Sequence, residues 1–137
     1  MENTRILLVD DERLVRRSME KTLLRAGFDV DTAEDAREAL TKFEAALADE
    51  EEGPYALAIL DLSMPNFDGI ADPDAGLKLL SKLLELDADL PVVVLTAFDE
   101  VARAREAVAR GARAYFVKGR ESGLLEIVNE ILTQHEG

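Results

Sequence analysis

Cysteine is absent from the 137 residues, which excludes disulfides, thiol nucleophiles and thiolate metal sites and is compatible with a reducing compartment. Tryptophan is absent too, aromatics make up 5%, and the one histidine, His135, stands two residues from the end. Any chemistry must therefore run on carboxylates, hydroxyls, lysine or arginine. No apolar stretch approaches the ~20 residues of a membrane span, and the opening Met-Glu-Asn-Thr-Arg lacks the apolar core of a signal peptide. Positive charge is scarce. With 16 Lys and Arg against 29 Asp and Glu, the net charge is −13, so direct binding to nucleic acid or to an anionic membrane is not expected. A cytoplasmic location and a single domain over residues 1–137 are the expectations from this balance and this length.

What is present is a regular alternation of short apolar runs with amphipathic ones. Ile6-Leu7-Leu8-Val9, Ala56-Leu57-Ala58-Ile59-Leu60 and Pro91-Val92-Val93-Val94-Leu95 are apolar throughout, as strands covered on both faces are. Phe28 to Thr32 alternates and reads as an edge strand, and Ala114 to Val117 is a fifth strand. Helical spacing recurs between them: Leu14/Val15, Met19, Leu23 and Ala26; then Ala36, Leu40, Phe43 and Leu47 on a helix from about residue 33 to 48. It returns at Leu77, Leu80, Leu83 and Leu84, at Val101, Ala104, Val108 and Ala112, and at Leu124, Ile127/Val128 and Ile131.

Five strands interleaved with five helices predict a parallel sheet with helices on both sides. Central apolar strands and an alternating second strand select the order 2-1-3-4-5, the flavodoxin-like doubly wound α/β arrangement, a (βα)5 three-layer sandwich. The connection from Ser63 to Ala75 is unusually long. Its Asp68, Asp72 and Asp74 lack the spacing of an EF-hand calcium loop, so a solvated loop is expected there.

In such a sheet ligands bind beyond the carboxyl ends of the strands, where the winding reverses. Asp10-Asp11-Glu12 follows the first strand, Asp61 the third, Thr96 the fourth and Lys118 the fifth. Singly, Asp10 or Asp11 reads as a helix N-cap, Asp61 as a turn residue, Thr96 as a cap and Lys118 as a solvated terminus. Together they form a carboxylate crevice that needs a cation, and Mg2+ suits it because it accepts carboxylates, keeps waters and shares phosphate oxygens. Three carboxylates, one divalent cation and one lysine sum to zero charge. The glycines that hold a dinucleotide after the first strand are missing, as are G-x-x-x-x-G-K-[ST] and G-x-S-x-G.

These residues resemble the receiver domain of two-component response regulators, the fold of the single-domain chemotaxis regulators. The likeness covers Ile6 to Glu12, Leu60-Asp61-Leu62-Ser63-Met64-Pro65 with Asp68-Gly69, Val93 to Ala97, and Gly111 to Lys118. It implies that Asp61 is the phosphoacceptor for a histidine kinase or phosphotransfer domain. It also implies Mg2+ held by Asp10, Asp11, Asp61 and the Ser63 backbone carbonyl, with Lys118 and Thr96 contacting the phosphoryl group. Thr96 and Tyr115 would be the switch pair, and a downstream output domain or protein would read it. The first helix, with Arg13, Arg16, Arg17, Lys21 and Arg25, would face the kinase. The face between the fourth and fifth helices, near a basic set running from Arg103 to Arg120, would carry output or a homodimer. Beyond assisting its own aspartyl phosphorylation and dephosphorylation, no enzyme activity is implied.

Two departures from the family pattern stand out. Gly119 replaces the usual proline after the lysine, which puts the placement of Lys118 in question, and Ile70 to Gly76 looks like an insertion. A phosphate-independent pseudo-receiver is the alternative, although the intact acidic, Thr and Lys set opposes it. A Mg2+-dependent phosphohydrolase would need a second Asp where Ser63 stands. Phe98, two residues past Thr96, is expected to cover the pocket and keep water from an acyl phosphate.

Overall fold

The structure, a computed structural model, describes residues 4–119 and 123–136, without the side chains of residues 98, 135 and 136. In chain order come β1 (Arg5–Val9), α1 (Arg13–Arg25), β2 (Asp29–Ala33), α2 (Ala36–Ala48), β3 (Leu57–Asp61), β4 (Met64–Pro65) and β5 (Ala71–Asp72). There follow α3 (Ala75–Leu86), β6 (Val92–Thr96), a 3-10 turn at Phe98–Glu100, α4 (Val101–Ala109), β7 (Ala114–Val117) and α5 (Leu124–Glu136). The five longer strands are all parallel in the order β2-β1-β3-β6-β7. Counted without the short ribbon, this is the expected 2-1-3-4-5. Register pairs Val9 with Leu60 and Asp61 with Leu95, so Asp10, Asp61 and Thr96 leave the sheet along one edge.

Side chains on a strand alternate between faces, and here each face meets its own core. Ile6, Leu8, Leu57, Ile59, Val93, Leu95 and Phe116 pack on one side with Met19 and Leu23 of α1 and Leu124, Val128 and Ile131 of α5. Leu7, Val9, Ala58, Leu60, Val92 and Val94 pack on the other with residues of α2, α3 and α4, among them Phe43, Leu80, Leu83, Ala104 and Ala107. The sheet is thus the middle layer of three. Burying both faces removes nearly all apolar strand area from water, at roughly 25 cal/mol per Å².

Several helix faces sit one position away from the spacing read in the sequence. Leu14 is 82% exposed, and Val15, Met19 and Leu23 face the core instead. On α2 the buried set is Ala36, Ala39, Phe43 and Ala46, with Leu40 only partly buried and Leu47 exposed. Alanine at those points lets α2 lie close to the sheet, which turns the larger leucines outward. The helix also starts later than expected, because Asp35 accepts from the Glu38 backbone N–H at 2.7 Å while the Glu38 carboxylate accepts from that of Glu34 at 2.7 Å. Val108 is exposed on α4, where Ala107 takes the inner place.

The segment after β3 is not a plain solvated loop. Met64 and Pro65 pair antiparallel with Ala71 and Asp72. Asn66 closes the turn: its side-chain oxygen accepts from Asp68 and Ile70, and its amide donates to Asp72. Asp72 in turn binds Lys78 of α3 at 2.6 Å. The apparent insertion is therefore a short β-ribbon pinned to the first turns of α3. Among the described residues its aspartates form no metal-ready cluster.

Candidate functional site

Asp10 lies one residue past β1 and is fully buried, and Asp61, the last residue of β3, is 3% exposed. Lys118, just past β7, places its ammonium 3.2 Å from Asp10 Oδ1, 2.6 Å from Glu12 Oε1 and 2.9 Å from Asp61 Oδ2. Three N–H donors thus meet three carboxylates. Backbone adds to this: Glu12 N–H donates to the same Asp10 Oδ1 at 2.9 Å, and Ser63 N–H approaches the second Asp61 oxygen, Oδ1, at 3.4 Å. Thr96 is buried at the end of β6, and its hydroxyl donates to the Ala97 carbonyl at 3.0 Å.

Crowding carboxylates out of water has a predictable electrostatic result. Burial and the neighbouring Asp10 charge push the Asp61 carboxyl up to about 8, against the pull of Lys118. Burial likewise raises Asp10. Burial acts against the Lys118 ammonium, but its hydrogen bond to Glu12 and the charges of Asp61 and Asp10 outweigh that, so its pKa is raised. One oxygen, Asp10 Oδ2, is buried with no hydrogen-bond partner. An orphaned carboxylate oxygen costs about 1–3 kcal/mol or more unless a cation meets it. Asp10, Asp11, Glu12 and Asp61 each offer a ligand oxygen, all within 4.8 Å of one another. An all-oxygen, strongly acidic donor set is what Mg2+ takes, so the residues present fit it.

The carboxylates are four rather than the three that gave a neutral sum, because Glu12 joins them. The sequence places Glu12 in the acidic run after the first strand but gives it no role of its own. Its link to Lys118 spans 106 positions and is visible only once the strands are in register. Lys118 itself is well placed despite the missing proline. The described peptide bonds are all trans, and Gly119 turns the chain at φ +92°, a conformation closed to proline. The Lys118 backbone N–H donates to the Thr96 carbonyl at 3.0 Å, so the lysine is anchored before its turn begins.

Arg16 requires a correction. Expected among the docking residues of the first helix, it instead turns inward, three positions before Met19. Its guanidinium donates to the Asp10 carbonyl at 2.9 Å and to Glu34 at 3.1 Å, and its side chain is 11% exposed. It holds the loop that carries Asp10. Its helical spacing with the buried Met19 and Leu23 was the available signal. Tyr115 is partly buried against the α2–α3–α4 core, one position along β7 from Phe116, which faces the opposite core. The expected cover by the Phe98 side chain, and Arg120, lie outside the described residues.

Comparison with known proteins identifies the family. The family model described as the response regulator receiver domain matches residues 6–129. The chain is 36% identical over 114 residues to the response regulator MprA of Mycolicibacterium vanbaalenii, covering 83% of this chain and 43% of that protein. It is 34% identical over 113 residues to the C4-dicarboxylate transport transcriptional regulatory protein DctD of Rhizobium meliloti, covering 82% of this chain and 22% of that one. The chain therefore spans less than half the length of these curated relatives. Among solved structures, a CheY-like response regulator receiver domain protein from Methanospirillum hungatei superimposes with a TM-score of 0.81 at 27% identity, covering 98% of each chain. The response regulator TrrA of Thermotoga maritima, in complex with Mg2+ and BeF, gives 0.73 at 32% identity over 94% of this chain and 98% of its own. With its sheet order, its acidic crevice and its Thr and Lys at the expected strand ends, the chain belongs to the response regulator receiver domain family.

Proposed function

We propose that the chain, as a single receiver domain over residues 1–137, accepts a phosphoryl group on Asp61 from a phosphohistidine of a kinase or phosphotransfer partner. The observation that carries this reading is the buried Asp61 carboxylate held 2.9 Å from Lys118 beside the orphaned oxygen of Asp10. Asp61 Oδ would attack phosphorus as the phosphorus–nitrogen bond breaks, and histidine leaves with the electron pair. Asp10, Asp11, Asp61 and the Ser63 carbonyl would hold Mg2+, which screens the phosphoryl oxygens when bound. Lys118 would neutralise charge on the same group. The Thr96 hydroxyl would exchange the Ala97 carbonyl for a phosphoryl oxygen, and Tyr115 would change rotamer in response, a two-state element biased by phosphate.

The output is a protein–protein event in this reading. A downstream domain or partner reads the α4–β7–α5 face, which is also the face proposed for a homodimer. The complete set of Asp10, Asp11, Asp61, Thr96 and Lys118 favours this over a phosphate-independent interaction module. Incubation with acetyl phosphate and Mg2+ tests it. The expected result is a gain of one phosphoryl mass on Asp61, absent without Mg2+ and in Asp61→Asn. Labelling that persists in Asp61→Asn, or sustained turnover of phosphoesters, would overturn it.

A further inference from the structure

Glu12 makes the shortest of the three contacts to Lys118, 2.6 Å against 2.9 and 3.2 Å. Its own side chain is 59% exposed, while that of Lys118 is 13% exposed. Two buried carboxylates, Asp10 and Asp61, already orient the ammonium, so Glu12 is not needed to place it. It takes the remaining N–H. Every donor of Lys118 is then committed, leaving none for an incoming phosphoryl oxygen. Charge adds to this. Four carboxylates outweigh one divalent cation and one ammonium by a full negative charge, whereas without Glu12 the site would balance.

Resting on the phosphoryl-acceptor reading of Asp61, we propose that Glu12 is a positioning residue that competes with the phosphoryl group for Lys118 and so restrains phosphorylation. For Asp61 to be modified, the Glu12–Lys118 pair must open, and the freed glutamate swings into water, where its exposure allows it to go. No bond is made or broken by Glu12 itself. The side chain sets how much of the time Lys118 is available.

The test uses the whole chain and beryllofluoride, an unreactive stand-in for the phosphoryl group, titrated in the presence of Mg2+. Glu12→Gln should raise beryllofluoride affinity and the acetyl phosphate labelling rate by about 5- to 10-fold, equivalent to roughly 1–1.4 kcal/mol. Glu12→Asp keeps the charge but is one methylene shorter, so it should release Lys118 and behave much as Glu12→Gln does. In metal-free protein both variants should speed exchange of the Lys118 ammonium protons with water, read by NMR. If Glu12→Asp binds beryllofluoride like the parent while Glu12→Gln binds more tightly, competition for Lys118 is wrong. Unchanged or weakened binding in Glu12→Gln overturns the proposal outright. Should the parent chain fail to bind beryllofluoride at all, it is the phosphoryl-acceptor reading that fails.

Discussion

Asp61 and Asp10 are buried side by side, and that fixes how the site responds to pH. The Asp61 carboxyl titrates at about 8 in the folded chain, against about 3.9 in an unfolded one. Between those values the folded state binds the extra proton, so stability falls as pH rises from about 4 to 8 and levels off above. Metal-free protein should thus melt several degrees lower at pH 8 than at pH 5 through this group. Asp61→Asn should flatten the profile and melt higher than the parent at neutral pH, while abolishing labelling. Calorimetry across pH checks it; an equally steep profile in the variant would assign the slope to another group. Arg16 makes a contrasting case. Arg16→Ala removes hydrogen bonds to the Asp10 carbonyl and Glu34 and should cost about 1–3 kcal/mol. Reversing charge at Arg13 and Arg17, both exposed on α1, should leave melting nearly unchanged while slowing transfer from a kinase more than labelling by acetyl phosphate. Equal slowing of both would place those arginines outside any docking face.

At the scale of elements, two glycines decide how the site is framed. A Cβ on Gly76 would stand 2.4 Å from both the Asp61 carbonyl oxygen and the Leu62 Cα, backbone atoms that cannot step aside. The first turn of α3 presses directly on the end of β3, and the Gly76 N–H donates to the Leu62 carbonyl at 2.9 Å. Gly76→Ala should therefore destabilise by about 1–3 kcal/mol and displace Asp61, read as a lower melting temperature together with slower labelling. Gly119→Pro, which restores the usual family residue, should impair rather than improve this chain, because φ +92° is out of proline's range. Restored or faster labelling in that variant would show that the turn rebuilds itself.

The same elements explain how much the sequence disclosed. Strands buried on both faces announce themselves as apolar runs, and polar residues at their ends stand out against that background, so Asp10, Asp61, Thr96 and Lys118 were legible. The α2 face was misread because alanine carries little hydrophobic signal, although its small size decides which side approaches the sheet. The ribbon of β4 and β5 was missed because two-residue strands have no period, and the Asn66 side chain supplies much of its closure. Glu12 and Arg16 act across elements, at separations that local spacing does not encode.

For the whole molecule, a net charge of −13 with four carboxylates converging on one crevice should make divalent cations a source of stability. Mg2+ at a hundredfold excess over its Kd should add about 2.7 kcal/mol, on the order of 10 °C in Tm. Asp11→Ala should remove most of that gain, and an intact gain would locate the ion elsewhere. Among the described residues no helix is long and apolar enough to cross a membrane.

The two outer strands of the sheet differ in a way that bears on self-association. An unpaired strand edge is a template for another chain, and charge on it is a common defence. Along β2 run Asp29 and Asp31, with Thr32 between Asp31 and the buried Ala33. A second copy approaching in register would set carboxylate against carboxylate. The opposite margin, β7, reads Ala-Tyr-Phe-Val and carries no charge within the strand. Edge-to-edge aggregation of this chain, if provoked by heat or by loss of α5, should begin at β7, and lysine in place of Ala114 should suppress it where the same substitution at Thr32 would not.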